Sequence, residues 1–303
     1  MPRGLLGIEE LSRAQIESLL NRARDFQPRT ADHSFVRLDM LKGRMIVNLF
    51  YEASTRTRTS FEIAARRLGA DAISITAAGS SVSKGESLVD TLNTLAAMRP
   101  SAIVMRHSAS GAPHFLARHL PIPIINAGDG THEHPTQALL DARTILDSRP
   151  SLEGLRVAII GDIEHSRVAR SNVYLLSKFG ADIVLCGPAP LLPPELASIA
   201  PGVRLTCDIR EAVRGADVVM MLRVQLERQR ETPFPAGEYF QFYGLRPEHL
   251  ELARPGAMVM HPGPINRGRE ISSEVADSQV SAILHQVENG VAVRMAVLEW
   301  ILG

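Results

Sequence analysis

Short apolar runs alternate with segments of helical period along the whole chain. In the first half the runs are 44–50 (RMIVNLF), 71–75 (DAISI), 101–106 (SAIVMR) and 122–127 (IPIINA). In the second they are 155–161 (LRVAIIG), 182–186 (DIVLC), 216–222 (ADVVMML) and 257–261 (AMVMH). Their length is that of strands, and their lack of regular polar alternation suits parallel strands covered on both faces. The segments between them suit right-handed crossover helices. In 55–69, Phe61, Ala64, Ala65 and Leu68 recur at i, i+3, i+4 and i+7, and Gly69 stands where a helix stops. Segment 166–180 repeats the pattern through Val168, Leu175, Leu176 and Phe179 and ends at Gly180.

The predicted fold class is α/β, with two domains that are each a parallel sheet flanked by helices and are joined by interdomain helices. Segment 134–150 (HPTQALLDARTILDSRP) reads as the helix that carries the chain across, closed by Pro150. Segment 284–302 is helical again and is expected to return to the first domain. The expected division is residues 1–134 with 285–303, a linking helix 135–150, and residues 151–284.

Composition narrows the function classes. The 33 basic and 33 acidic side chains cancel, which argues against a broad basic face for nucleic acid. The apolar runs are strand-sized, far short of the roughly 18–20 residues of a membrane span. The N-terminal block MPRGLLGIEELSRAQ is too short in apolar residues and too early in acidic ones for a signal peptide, so a cytoplasmic location is expected. Cys186 and Cys207 lack metal-ligand spacing and read as core residues. Among the cations only Lys42, Lys84 and Lys178 are lysines; Lys42 and Lys178 read as surface residues.

Candidate chemistry gathers where strands end, because parallel sheets bind ligands beyond their carboxyl edges, where helix N-termini also point. After the first run comes Ser54-Thr55-Arg56-Thr57, leading directly into a helix. Unpaired N–H groups, hydroxyls, the helix dipole and a guanidinium converge there, which makes a phosphate cradle. The bland alternative is a Ser/Thr N-cap followed by solvated arginines. Arg106-His107, the loop Asn126–His134, Gly161–Arg167, Arg223-Val224-Gln225 and His261–Pro264 end five further runs. A Walker loop is absent, and Gly161 alone falls short of a dinucleotide fingerprint. His132-Glu133-His134 has neither HExxH spacing nor an evident third ligand, so no metal and no cofactor is expected.

The segment YEASTRTRTSFE (51–62) resembles the carbamoyl-phosphate motif of the aspartate and ornithine carbamoyltransferases. The resemblance runs on through SSVSKGES (80–87), VMRH (104–107), GDGTHEHPTQALLD (129–141), GDIEHSRVARS (161–171), LRVQLER (222–228) and HPGPINRG (261–268). The RVQ and HPGP sets are similar to the aspartate branch, since the ornithine branch carries HCLP and an SMG loop. What the resemblance implies is carbamoyl transfer from carbamoyl phosphate to L-aspartate, in pyrimidine synthesis. By the same resemblance Ser54, Thr55, Arg56, Thr57 and Arg106 bind the phosphate, and Thr57, Arg106 and His134 face the carbonyl oxygen. Gln137 and the carbonyls of Pro262 and Gly263 hold the carbamoyl amino group; Gly263 stands where some members carry leucine. Lys84, Arg167, Arg223 and Gln225 take the carboxylates of aspartate.

The family also implies a homotrimer in which the loop bearing Ser80 and Lys84 reaches a neighbouring protomer's site. It implies a lid in 228–247, rich in Phe234, Tyr239, Phe240, Phe242 and Tyr243, with Glu52 bridging to Arg167 and Arg228; a satellite hydrophobic cluster explains the same aromatics. Regulatory chains or dihydroorotase are the further partners it leaves open. The rival readings are a carbamoyltransferase for another amino acid such as ornithine, and a non-catalytic scaffold for dihydroorotase.

Overall fold

The computed structural model describes residues 4–31, 36–76, 88–224 and 236–303, without the side chains of 28–31, 88, 92, 236 and 237. It divides into two compact units, residues 1–143 with 287–303 and residues 144–286.

The first unit is built on a five-stranded parallel sheet: β1 (Gly4–Leu5), β2 (Met45–Phe50), β3 (Asp71–Thr76), β4 (Ala102–His107) and β5 (Ile124–Asp129), in the order β1-β5-β4-β2-β3. Its helices are α1 (Arg13–Ala31), α2 (Thr55–Arg67), α3 (Leu88–Ala97), α4 (Ala112–His119) and the start of α5 (Pro135–Ser148). Phe61, Ala64, Ala65 and Leu68 are fully buried, as the period of that segment predicts. Val47, Leu49, Ile103, Met105 and Ile124 pack with Leu95 and Leu116 of the flanking helices into one core. Strand β3 departs from the expectation of two covered faces. It pairs on one side only, at the sheet edge, and Ile73 is half exposed.

The second unit repeats the plan with β6 (Arg156–Ile160), β7 (Asp182–Cys186), β8 (Arg204–Thr206), β9 (Val218–Met221) and β10 (Met258–Met260), ordered β10-β9-β6-β7-β8 and again all parallel. Its helices are α6 (Arg167–Lys178), α7 (Ile209–Val213), α8 (Ala236–Tyr243), α9 (Pro247–Leu250), α10 (Ser273–Ala276) and the start of α11 (Ile283–Leu302), with two short 3-10 turns at 189–191 and 194–198. The core joins Ala158, Ile160, Val184, Val219 and Met221 to Ile209, Val213 and Val275. Cys186 is buried, but Cys207 is exposed, against the expectation that both lie in the core. It follows the last residue of β8 at the sheet edge and precedes Asp208, which caps α7 by accepting from Arg210 N at 2.8 Å.

Both strand orders reverse direction once. The chain steps outward from β2 to β3 and then returns to lay β4 on the other side of β2. It steps from β6 to β7 and β8 and then returns with β9 beside β6. A crevice opens beyond the carboxyl ends of two strands whose connections leave in opposite directions. The β2/β4 edge and the β6/β9 edge are therefore the places to look for ligands.

Candidate active site

In the first unit the β2/β4 edge holds the predicted phosphate set. Phe50 pairs with Arg106 across the two strands, and Tyr51 N donates to Arg106 O at 2.9 Å. Ser54, Thr55, Arg56 and Thr57 follow at the first turn of α2. Ser54 sits at the N-cap in an extended conformation (φ −161°), yet its side chain makes no capping hydrogen bond. That weighs against the plain N-cap reading of this segment. Thr55 and Arg56 are exposed, whereas Thr57 is buried.

Arg106 donates through Nη2 to Glu52 Oε1 at 2.5 Å and through Nη1 to Ala127 O at 3.3 Å. These two contacts fix the plane of the guanidinium at the strand end. Glu52, expected to bridge to Arg167 and Arg228, thus has Arg106 as a partner within its own unit.

The loop from β5 to α5 sets His134 and Gln137. A register shift between β4 and β5 at Met105–His107 swells the end of β5, the kind of bulge that re-aims residues beside a site. Asn126 is buried there; its Nδ2 donates to Leu6 O and to Asp129 Oδ1, both at 2.8 Å, and its Oδ1 accepts from Gly128 N. Asp129 Oδ1 also accepts from Glu133 N. A Cβ on Gly130 (φ +45°) would lie 2.3 Å from Ser110 Oγ and 2.6 Å from Ser110 N, so only glycine fits this corner. Burial opposes ionisation of Asp129, but hydrogen bonds from His132, Asn126 and Gly111 N outweigh it and hold the carboxyl below its ordinary value. The bond to Asp129 raises the pKa of His132.

His134 is buried at the foot of α5, and Gln137 occupies the first turn. Gln137 Nε2 donates to the fully buried Asp141 Oδ1 at 2.9 Å. An ionised carboxylate only accepts, so this bond assigns the amide orientation and reserves Gln137 Oε1 as an acceptor. Arg294, from α11, is wholly buried, stacks over Phe61 at 5.1 Å and donates to Gly290 O. Burial pushes its pKa down to about 9; Asp141 pulls it up, while Arg106 and Arg56 push it further down. Arg56, Arg106 and Asp141 thus all act electrostatically on the buried Arg294. Asp141 and Arg294 were missed by sequence reasoning, and the available signal was that charged residues stand on otherwise apolar faces of α5 and α11; the anchoring role of Glu133, in the loop before α5, had no local signal.

In the second unit Arg167 is the first residue of α6, buried, with Ser166 capping the helix through a bond from Ala169 N at 3.1 Å. Asp162, fully buried, accepts from His165 N at 3.3 Å and holds His165 Nδ1 at 2.8 Å, shaping the turn after β6. Arg223 follows β9 and is half-buried. The two arginines therefore stand at the β6/β9 switch point. Pro262 and Gly263 follow β10; Gly263 has φ +66°, a left-handed conformation in which a leucine would be strained, and its N–H donates to His261 Nδ1 at 2.8 Å. His261 N in turn donates to Gln286 Oε1, and His261 Nε2 lies 3.3 Å from the buried Glu270 Oε1. Ser80, Lys84, Gln225 and Arg228 lie outside the described residues. Of the aromatic segment, Tyr239 is buried and Phe242 exposed on α8.

Comparison with known proteins matches this arrangement from end to end. Residues 3–147 match the aspartate/ornithine carbamoyltransferase carbamoyl-P binding domain, and residues 153–301 match the Asp/Orn binding domain of the same family. The chain belongs to the aspartate/ornithine carbamoyltransferase family. An aspartate carbamoyltransferase catalytic subunit of Solibacter usitatus is 78% identical over 303 residues, all of both chains. One from Geobacter sulfurreducens is 55% identical over 99% of this chain and 96% of its own. Among solved structures, aspartate transcarbamoylase from Trypanosoma cruzi in complex with N-(phosphonacetyl)-L-aspartic acid superposes with a TM-score of 0.86 at 32% identity, covering 99% of this chain and 96% of that one. Ornithine carbamoyltransferase from Pyrococcus furiosus gives a TM-score of 0.87 at 28% identity, covering 99% and 97%. The same fold thus serves proteins named for both acceptor amino acids.

Proposed function

We propose that the protein transfers the carbamoyl group of carbamoyl phosphate to the α-amino group of L-aspartate, giving N-carbamoyl-L-aspartate and phosphate for pyrimidine biosynthesis, in the cytoplasm. The observation that carries this reading is the pair of arginines Arg167 and Arg223 at the β6/β9 switch point, opposite in role to the hydroxyl and arginine set at β2/β4. Two guanidiniums suit an acceptor with two carboxylates, whereas ornithine carries a single carboxylate and a cationic side chain. The 78% identical relative named for aspartate supports the same choice.

In this reading Ser54, Thr55, Arg56, Thr57 and Arg106 hold the phosphate. Thr57, Arg106 and His134 donate to the oxyanion that forms as the amine adds to the carbonyl. Gln137 Oε1, kept as an acceptor by Asp141, takes the carbamoyl NH₂ together with the carbonyls of Pro262 and Gly263. Lys84 and Gln225 join Arg167 and Arg223 on the aspartate. The departing phosphate accepts the amine proton, so the reaction needs no dedicated side-chain base.

The test is turnover of carbamoyl phosphate with aspartate against ornithine, with N-phosphonacetyl-L-aspartate as inhibitor. Turnover with ornithine but not aspartate overturns the acceptor, and turnover with neither favours the scaffold reading. We further propose a homotrimer in which Ser80 and Lys84 act in the neighbouring protomer's site. Mixing inactive Lys84→Ala and Arg56→Ala chains then regenerates activity, and a mixture that stays inactive argues for a self-contained protomer.

A further inference from the structure

His132 was expected to hold no metal because sequence spacing offers no third ligand. The fold supplies one. His114, in the first turn of α4, comes beside the turn after β5, and its ring meets that of His132 edge-on at 5.3 Å between centroids. One ligand atom each from His114, Asp129 and His132 lie within 4.8 Å of one another. Tetrahedral zinc with bonds of about 2.0–2.1 Å sets its ligands roughly 3.3–3.5 Å apart, so rotation of the two partly buried imidazoles closes the remaining gap.

The hydrogen bonds around the three residues have the form that metal ligands take. His114 Nε2 lies 2.8 Å from Glu10 Oε1, while its Nδ1 is buried with no hydrogen-bond partner. A carboxylate on one ring nitrogen fixes the tautomer that leaves a lone pair on the other, the carboxylate–histidine–metal arrangement. Asp129 is fully buried and rigidly held: Gly111 N donates to Oδ2 at 2.6 Å, and Asn126 Nδ2 and Glu133 N donate to Oδ1. His132 Nδ1 lies 3.3 and 3.1 Å from the two carboxylate oxygens. The side chains of His114 and His132 remain 23% and 33% exposed, which gives an ion access from solvent and room for water as a further ligand.

We propose that His114, Asp129 and His132, with Glu10 behind His114, form a binding site for a divalent transition metal, zinc by the character of its ligands. The site is distinct from the set assigned to carbamoyl transfer and does not depend on that reading. It ties α4 to the turn that leads into His134, so its role is to brace that turn. Imidazole and carboxylate donors with an open position favour zinc and its first-row neighbours over magnesium or calcium.

The experiment is titration of the chelator-stripped full chain with zinc chloride by calorimetry, and with cobalt(II) by visible absorption, beside the variants His114→Ala, His132→Asn and Glu10→Gln. The expected result is a single zinc ion per chain, an intense cobalt spectrum of low coordination number, and a rise in Tm of several degrees at saturating zinc. Either histidine substitution removes the cobalt spectrum and the Tm rise, and Glu10→Gln weakens zinc affinity by roughly 10-fold or more. Glu10 is exposed at the surface and its variant is expected to keep the parent fold, so that arm stays readable even if a histidine variant misfolds. Absence of heat and of a cobalt spectrum in the wild type, or binding that survives unchanged in all three variants, overturns the proposal.

Discussion

Glu133 precedes His134 and is the anchor of its loop, which makes Glu133→Gln the sharpest test of how the site is held. The carboxylate is fully buried and accepts from Ile8 N at 2.8 Å and Glu9 N at 3.2 Å, more than 120 residues away in sequence. Glutamine keeps the shape and one acceptor but turns an NH₂ toward the other N–H. The change costs one charge-assisted hydrogen bond and leaves a donor facing a donor, together about 3 kcal/mol. For a domain of roughly 150–250 residues that lowers Tm by about 6–12 °C. Gly7 provides a second perturbation of the same carboxylate. An added Cβ there would lie 2.4 Å from Glu133 Oε1 and 3.1 Å from Cδ, and the pinned side chain has nowhere to swing. Gly7→Ala is therefore expected to cost about 1–3 kcal/mol, and the double variant less than the sum of the two, because both act on one contact. Differential scanning calorimetry of the four proteins, with kcat measured beside it, reads all of this. A Glu133→Gln Tm within about 1 °C of the parent, or strict additivity with Gly7→Ala, refutes the reasoning.

Three further outcomes follow from the site. His134→Ala is expected to lower kcat by about 100- to 1,000-fold while carbamoyl-phosphate affinity stays near the parent value, as the loss of an oxyanion donor should; steady-state kinetics and calorimetry separate the two, and unchanged turnover removes His134 from the mechanism. Asp141→Asn deprives the buried Arg294 of an adjacent anion and loosens Gln137, so urea denaturation should show a loss of about 3–5 kcal/mol, of which Asp141→Asn with Arg294→Met recovers part. Burial lowers the pKa of His249 and of His107 below the ordinary 6.5. The unfolded chain then binds more protons than the folded one between the folded pKa and 6.5, so stability falls as pH drops through that window. His132, with its raised pKa, acts in the opposite direction, so the reading is a difference: from about pH 7.5 to 5 the Tm of His249→Gln should fall less, or rise more, than that of the parent, and superimposable profiles contradict the assignment.

The elements that were legible in the sequence are those whose burial is periodic. Helix α2 shows its face in Phe61, Ala64, Ala65 and Leu68, and β4, β6 and β9 show theirs as unbroken apolar runs. The α/β class followed from those runs, and the phosphate cradle from a hydroxyl and arginine cluster placed between a strand and a helix. The two-residue β1 and three-residue β8 are too short to carry a pattern, and the edge position that exposes β3 and Cys207 is a property of strand order, which no local window contains. The same holds for the supports of the site. Glu133 with Ile8, Asn126 with Leu6, Arg294 beside Asp141, and His114 beside His132 are meetings of distant segments, visible only once the sheet brings them together.

Charge placement explains how a neutral chain offers anion sites. Between Asn126 and Asp141 the three buried carboxylates are each held by protein donors: Asp129 by Gly111, Asn126 and Glu133, Glu133 by Ile8 and Glu9, and Asp141 by Gln137. Acceptors satisfied in this way contribute order to the loop. Glu52 differs, because it is partly exposed and its contact is Arg106 itself. On the proposed reading, phosphate arriving at Arg106 meets a guanidinium already paired with a carboxylate. The electrostatic gain is then smaller than for a solvated cation, because the neighbouring carboxylate already offsets part of the charge that the phosphate meets.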